Sequence, residues 1–210
     1  MADIGLNSTP GGILKRYGMA VRPGSHQHLV SRLARALHQL PDGLVKDCGI
    51  KDIGFEDLGE SKEYFPNHGY YVGETLVLNT RLVDDPVVFK DTSGKILDRF
   101  DHTLFHELGH GWDMVKGELC KKPEWLQLSG WCEKPEDGKV RIVINDKDSE
   151  ENVVGEWFYD PSSKFVRFYA RRNPWDDFAD TFAFKVASMD GFIPDSKGQY
   201  FKDRMGSYYE

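Results

Sequence analysis

The chain has 210 residues and a net charge of −7, with 40% hydrophobic and 13% aromatic residues. These are globular values, and no apolar run approaches the roughly 18 residues of a membrane span. The acidic balance gives no general attraction to nucleic acid or anionic lipid, and basic residues such as Arg171 and Arg172 are interpreted as solvated faces. We therefore expect a monomeric domain that binds neither nucleic acid nor membrane.

Three cysteines are an odd and sparse set, which argues against a disulfide framework and fits a reducing compartment. The first residues, from Met1 to Asn7, include an acid and no apolar segment of a secretory signal. These features predict a cytoplasmic protein by default, and export by a non-classical route stays an alternative.

The N-terminal 24 residues are rich in Gly, Ser, Pro and Asn and lack periodicity. This composition predicts a flexible arm over residues 1–24. Ser25 can then cap a helix that carries a stripe of leucines and ends at Pro41. Residues 25–210 are predicted to form a single domain.

Two segments ahead of residue 96 have the pattern of strands. Residues 49–57 and 69–83 contain alternating or β-branched runs between polar turns, which indicates strands of a mixed sheet. Residues 70–79 would supply the edge strand, whose unpaired backbone groups can align an extended peptide. The alternative for these residues is a strand inside the sheet.

The most informative motif is the pentapeptide His106-Glu107-Leu108-Gly109-His110, which lies within a stretch of helical periodicity. Two histidines four residues apart share one helix face, so both imidazoles can reach one metal ion. Zn²⁺ binds neutral imidazoles, and a catalytic site keeps a position for a water whose pKa falls to about 7. Glu107 would accept the proton of that water as general base.

The helix that carries this motif has recognisable ends. Asp98 or Asp101 can cap its start, and Gly117 can take the left-handed conformation that closes it. Gly109 and Gly111 each weaken the helix by about 1 kcal/mol relative to alanine, which is usually accepted where another backbone must come close. The alternative is a solvent-exposed helix with two incidental histidines.

Residues 118–165 contain tryptophans and β-branched residues between charged, turn-forming runs. They predict a β-rich insert. After it, a second helix begins near Pro174 and places Asp176 and Asp180 on one face. Asp176 can supply the third zinc ligand, and Asp180 can accept the free N–H of a ligand histidine. Alternatively, these acids only interact favourably with the helix dipole.

Three segments carry a family resemblance: HELGHGWD at 106–113, YARRNPWD at 169–176 and DFADTF at 177–182. Their order resembles the catalytic domain of the anthrax lethal factor family and the Pro-Pro endopeptidases, within the gluzincin metallopeptidases. The resemblance implies an α/β (α+β) zincin-like fold. This fold has a mixed β-sheet with an edge substrate strand, an HExxH active-site helix and a C-terminal helical part that carries the third zinc ligand.

In that family a tyrosine precedes the third ligand by seven residues. The resemblance therefore implies that Tyr169 stabilises the oxyanion, that Asp176 binds zinc and that Asp180 orients a ligand histidine. Both acids are aspartates where the family has glutamates, so Asp177 or Asp180 stays an alternative ligand. An aspzincin, whose third ligand is normally Asp, is the nearest competing group.

The resulting prediction is a zinc-dependent endopeptidase that acts on a protein or peptide. One Zn²⁺ per chain would be held by His106, His110 and Asp176, with Glu107 as general base and Tyr169 as oxyanion donor. One alternative is a zincin-like binding or structural module without turnover. Another is a metal-dependent hydrolase of a non-peptide bond. A preference for proline is implied by the resemblance alone.

Overall fold

The computed structural model describes residues 9–59, 68–85, 87–146 and 149–210, which form a mixed α/β arrangement of helices and small sheets. The described helices are α1 (Pro10–Arg16), α2 (Gln27–Leu37), α3 (Asp42–Asp47), α4 (Arg99–Val115), α5 (Pro123–Ser129), α6 (Pro174–Val186) and α7 (Asp195–Met205). The described strands are β1 (Ala20–Val21), β2 (Asp52–Glu56), β3 (Gly69–Val72), β4 (Thr75–Asn79), β5 (Val88–Lys90), β6 (Ile96–Asp98), β7 (Trp131–Cys132), β8 (Val140–Asp146) and β9 (Ser149–Tyr159). Among these helices, none is long and apolar enough to cross a membrane.

The largest sheet has the strand order β1-β2-β4-β3. β2 runs parallel to β1 and β4, whereas β3 runs antiparallel to β4. The prediction of a mixed sheet is therefore confirmed. The predicted edge strand over residues 70–79 is in fact a hairpin: in the part of the chain described, β3 pairs with β4 alone, and β4 is internal. Three consecutive buried residues make β4 a core strand: Leu76, Val77 and Leu78.

The flexible arm predicted for residues 1–24 is wrong over residues 9–24. Thr9 caps α1 by accepting the backbone N–H of Gly12 at 3.1 Å, and Leu14 of that helix is buried in the core. β1 then adds a parallel strand to the sheet. The glycine-rich composition predicted no helix, but residues 10–16 form a capped helix that tertiary packing stabilises. Residues 1–8 lie outside the described residues.

α2 forms as predicted, but its first residue is Gln27 and its N-cap is His26 rather than Ser25. The Ser25 hydroxyl instead donates to the carbonyl of Arg22. The predicted β-rich insert is also only partly right. It begins with a 3₁₀ turn and the helix α5, and its three-stranded sheet β7-β9-β8 follows. Trp125, on α5, is fully buried in the core, so this tryptophan marks a helix rather than a strand.

An aromatic cluster fixes α4, α5, α6 and α7 against one another. The Phe178 ring contacts those of Trp125 and Phe201 with centroids 4.9 Å apart in each case, and the Trp112 and Phe182 centroids are 5.6 Å apart. Each such pair contributes about 0.5–1.5 kcal/mol beyond the burial of its area. This cluster packs α6 against α4, α5 and α7.

Two glycines let α4 approach neighbouring backbone closely, at α6 and at the C-cap residue of α3. A Cβ on Gly109 would lie 3.0 Å from the Cα of Ala179, and a Cβ on Gly111 would overlap the carbonyl oxygen of Cys48. The expectation that these glycines admit a neighbouring backbone is therefore confirmed. The predicted ends of α4 are also confirmed, since Asp98 caps its start and Gly117 follows its C-cap with φ of +83°.

We expect Gly111→Ala to destabilise the fold, because the new methyl group meets a backbone carbonyl that cannot turn away. Overpacking of this kind costs about 1–3 kcal/mol. Urea unfolding measures the change. Gly11→Ala is the matched control, because this helical glycine has open space around it and should gain up to about 1 kcal/mol. Equal stability of Gly111→Ala and wild type would contradict the proposed contact.

Candidate metal centre

The three predicted ligands lie together between α4 and α6. The Nε2 atoms of His106 and His110 are 3.1 Å apart, and the Oδ1 atom of Asp176 lies 3.5 Å from the first and 3.7 Å from the second. Ligands of a tetrahedral Zn²⁺ at about 2.0–2.1 Å lie about 3.3–3.4 Å from one another. The spacing of these atoms therefore fits a zinc ion, and the group could hold a metal.

Asp180 fixes the orientation of His106. The Nδ1 atom of His106 donates to Oδ1 of Asp180 at 2.8 Å, because a carboxylate can only accept. Burial opposes ionisation of Asp180, but Arg167 and His106 hold its pKa well below the usual range. When Nε2 has lost its proton, as metal binding requires, the proton on Nδ1 leaves the lone pair of Nε2 on the side of His110 and Asp176. The predicted contact between Asp180 and His106 is present, and its role in metal binding stays a prediction.

Arg167 in turn holds Asp180 in place. Its Nε donates to Oδ2 of Asp180 at 2.7 Å and its Nη2 to Oδ1 at 2.8 Å, a bidentate pair on a carboxylate with no exposed surface. Sequence reasoning missed Arg167, because it lies in an irregular segment and no periodicity links it to the site. Arg167 reaches Asp180 only because α6 packs against the segment that carries this arginine.

Asn173 directs the carboxylate of Asp176. Its Oδ1 accepts the backbone N–H of Asp176 at 2.7 Å, which caps α6, and its Nδ2 donates to Oδ2 of Asp176 at 2.8 Å. The second contact leaves Oδ1 facing the histidines. Burial opposes the charge of Asp176, but its bonds to His106 and His110 hold its pKa well below the usual range. Asn173 was also missed, although an asparagine before the proline that starts α6 is a typical N-cap signal.

The surroundings of the two histidines are strongly anionic. Burial lowers the pKa of His106, but the charges of Asp180 and Asp176 outweigh it and raise that pKa to about 10. Two buried carboxylates thus stabilise a positive charge at this position. A divalent metal can supply that charge in place of the proton.

Asp177, the alternative ligand, points away from the histidines. Both of its oxygens accept from Nζ of Lys197, at 2.6 and 2.8 Å, and Oδ2 also accepts from Nε1 of Trp131 at 3.2 Å. Successive residues on a helix are about 100° apart, so Asp176 and Asp180 share a face that Asp177 does not. Of the three acids left open by the sequence, the geometry brings only Asp176 to the Nε2 atoms of both histidines.

Tyr169 lies beside the ligands in a 3₁₀ turn that precedes α6. Its ring is 5.9 Å from that of His106, and the guanidinium groups of Arg167 and Arg172 lie 4.6 and 4.8 Å from its centroid. Nη1 of Arg172 donates to the phenol oxygen at 2.7 Å. Burial, with a contribution from Asp176, raises the pKa of Tyr169. The phenol therefore keeps its proton and can donate it in a hydrogen bond.

Arg172 was interpreted from the sequence as part of a solvated face. Its side chain is 44% exposed, yet it supports the hydroxyl of Tyr169 and lies 4.0 Å from the carboxylate of Asp176. Solvation and a functional contact therefore coexist in this residue. Its position in the sequence could have indicated this role, because Arg172 lies four residues before Asp176 and three residues after Tyr169.

Glu107 faces an open cleft of about 460 Å³ that is also lined by His106 and Tyr169. The residue is only 6% exposed, and burial raises the pKa of its carboxyl against the attraction of His106 and His110. A raised pKa makes a carboxylate a better general base near neutral pH. The cleft also reaches Gly69, the first residue of β3, so it continues to the strand at the edge of the sheet.

We expect the wild-type chain to bind about one zinc ion. Asp176→Ala should lose most of this affinity, and Asp180→Asn should weaken it by about 10–100-fold because the orientation of His106 is lost. Elemental analysis and competition with a chromophoric chelator measure both effects. Glu107→Gln is the control that should keep its zinc. Unchanged binding in Asp176→Ala would rule out this ligand set.

Zinc removal should also lower the melting temperature, because the ion would join α4 to α6, which lie far apart in sequence. At zinc concentrations about 100-fold above Kd, binding contributes about 2.7 kcal/mol, which corresponds to roughly 5–10 °C for a domain of this size. Thermal unfolding with and without a chelator measures this. Asp176→Ala should melt at the same temperature in both conditions.

Comparison with known proteins identifies no relative of this chain among protein families or curated proteins. No protein-family model matches the chain, and no curated protein matches it. The resemblance to the lethal factor family therefore rests on the quoted segments, and the function has to be argued from the arrangement of the site.

Proposed function

We propose that the protein is a zinc-dependent endopeptidase with a zincin-like fold. The observation that carries the proposal is the convergence of His106, His110 and Asp176, of which His106 lines a cleft together with Glu107 and Tyr169. Two histidines and one carboxylate form a ligand set typical of catalytic zinc. The mixed sheet before α4 and the later helix α6, which carries the carboxylate, support the zincin-like assignment.

The number of ligands favours a catalytic over a structural role. Structural zinc sites are closed by four protein ligands, whereas catalytic sites use three and keep one position open. Within the described residues, the candidate group has three members. A bound Zn²⁺ would supply Lewis acidity and lower the pKa of a water at that open position.

The remaining steps belong to side chains of this chain. Glu107 accepts a proton from the attacking water, and the protonated carboxyl can then deliver it to the leaving amine. Tyr169 donates its O–H to the oxygen on which negative charge develops. Arg172, which donates to the phenol oxygen, keeps the hydroxyl in position. Neither Glu107 nor Tyr169 is needed merely to hold a metal, so their presence favours turnover.

The position of β3 favours a peptide substrate. An extended peptide can add to an exposed sheet edge through main-chain hydrogen bonds. β3 pairs with β4 alone among the described strands, and its first residue lines the cleft. A peptide that continued the sheet beyond β3 would thus pass the metal ligands. This placement favours peptide hydrolysis over hydrolysis of a small non-peptide substrate.

Incubation of the zinc-loaded protein with a diverse peptide library, followed by mass spectrometry, tests the proposal. We expect cleavage by wild type, a loss of about 10²–10⁴-fold in Glu107→Gln, and a loss of about 10²–10³-fold in kcat in Tyr169→Phe. Both variants should retain zinc. Tyr17→Phe is the matched control, because Tyr17 bonds to Asp42 away from the cleft, and should cleave like wild type.

Two outcomes would contradict the proposal. Stoichiometric zinc without cleavage of any peptide would indicate a binding or structural module. Hydrolysis of ester or amide model compounds but of no peptide would indicate a hydrolase of a non-peptide bond. The cytoplasmic location and monomeric state expected from the sequence stay predictions.

A further inference from the structure

The cleft beside the metal ligands is unusually rich in guanidinium groups. Arg99, Arg167 and Arg172 all line it, against the carboxylates of Asp85 and Glu107. The three guanidinium groups outnumber the two carboxylates, and an excess of positive charge in a partly enclosed space attracts anionic groups, because the low-dielectric walls focus the field. The cleft is therefore suited to a substrate that carries a negative charge near its reacting bond.

Two of the three guanidinium groups already have roles in organising the site. Arg167 holds Asp180 in a bidentate pair, and Arg172 donates to the hydroxyl of Tyr169. Their charges still contribute to the field in the cleft, but their geometry is fixed by these partners. They are consequently poor candidates for the main contact with a substrate.

Arg99 is the guanidinium group that such a role does not explain. Its side chain is 15% exposed, its Nε atom makes no hydrogen bond within the described residues, and its ion pair with Asp85 is long, with 3.5 Å between Nε and Oδ2. Its guanidinium lies over the ring of Phe89, 5.5 Å from the centroid. A largely buried cation with so loose an ion pair is expected to gain from a further carboxylate.

The pKa of a neighbouring histidine, His68, is affected by the arginines of the cleft. Burial and the charges of Arg99 and Arg167 lower the pKa of His68, which also lines the cleft, to about 4. His68 is therefore neutral at physiological pH and does not add to the charge. Burial is the largest cause of this shift and Asp85 opposes it, so the argument for an anionic ligand rests on the geometry of Arg99.

The position of Arg99 sets where the anionic group would lie. Arg99 is the first residue of α4 and Glu107 follows eight residues later, which places them about 12 Å apart along the helix axis. An extended peptide advances about 3.3–3.6 Å per residue. A substrate group that meets Arg99 therefore belongs to a residue about three positions from the scissile bond.

We propose that the cleft recognises a carboxylate of the substrate peptide about three residues from the scissile bond, with Arg99 as its main contact. The carboxylate can belong to an aspartate or glutamate side chain or to the peptide's C-terminus. The proposal rests on the proposed peptidase function, but it concerns binding and can be tested without turnover.

The test uses the zinc-loaded Glu107→Gln protein, which should bind peptides without cleaving them. Labelled octapeptides with a single glutamate at successive positions, each as a C-terminal amide, are compared with their glutamine counterparts by fluorescence anisotropy. We expect the glutamate peptide to bind about tenfold more tightly or better at one position or two adjacent positions. A second set with free C-termini distinguishes recognition of the chain end from recognition of a side chain.

Substitution of Arg99 locates the effect. In the Glu107→Gln background, Arg99→Gln should reduce the preference to about twofold or less, and Arg99→Lys should retain part of it. Arg32→Gln is the matched control. Arg32 is another arginine near the start of α4, paired with Asp98 and stacked on Phe100, but it does not line the cleft. This control should keep the full preference.

A second variant tests the proposal even if Arg99→Gln does not fold. Asp85→Asn removes the carboxylate that competes for Arg99, while an asparagine oxygen can still accept the N–H of Val87. We expect glutamate peptides to bind this variant several-fold more tightly than they bind the parent. A decrease or no change in affinity would contradict the role of Arg99.

The outcomes separate this proposal from the proposed function. Equal binding of glutamate and glutamine peptides at every position, or no binding of any peptide, would overturn the acidic specificity. Acid-selective binding that depends on Arg99, together with no cleavage by wild type, would support the cleft assignment and overturn the endopeptidase. Cleavage by wild type without any preference for acidic peptides would do the reverse.

Discussion

The buried carboxylate of Asp180 is the constraint on which the rest of the site depends. It accepts from the imidazole of His106 and from the guanidinium of Arg167, and none of its surface is exposed. An ionised carboxylate at such a depth is stable only when each of its oxygens is bonded to a cationic or strongly polar donor. Asp180 therefore links a helix face, a loop arginine and the metal ligands, and moving one of these would disturb the others.

This link requires α4 and α6 to approach closely, and the sequence provides for that at specific positions. Gly109 faces the backbone of Ala179, while the aromatic cluster around Phe178 packs α6 against α5 and α7. Small residues thus determine the distance between the helices and large ones determine their orientation. Because aspartate is one methylene shorter than glutamate, a close approach is also what allows Asp176 to reach both histidines.

The sequence predicted the parts of the site that a single helix determines. His106 and His110 are four residues apart, as are Asp176 and Asp180, so each pair lies on one face of its helix. This follows from helical geometry, which is independent of tertiary context. The contact of Arg167 with Asp180 could not be predicted, since it joins a loop to a helix. The helix within residues 9–24 was missed for a similar reason: its stability comes from burial in the core rather than from local propensity.

The electrostatics of the site and of the cleft have a common physical origin. Asp176 and Asp180 must stay ionised although they are buried, so cations have to lie near them, and the fold places Arg167 and Arg172 there. The same two arginines also line the cleft. If Zn²⁺ binds, it adds two positive charges beside the same cleft and partly neutralises the carboxylate of Asp176. Arginines that stabilise buried carboxylates thereby also give the cleft positive charge, and the acidic specificity proposed for Arg99 would extend the field of these arginines.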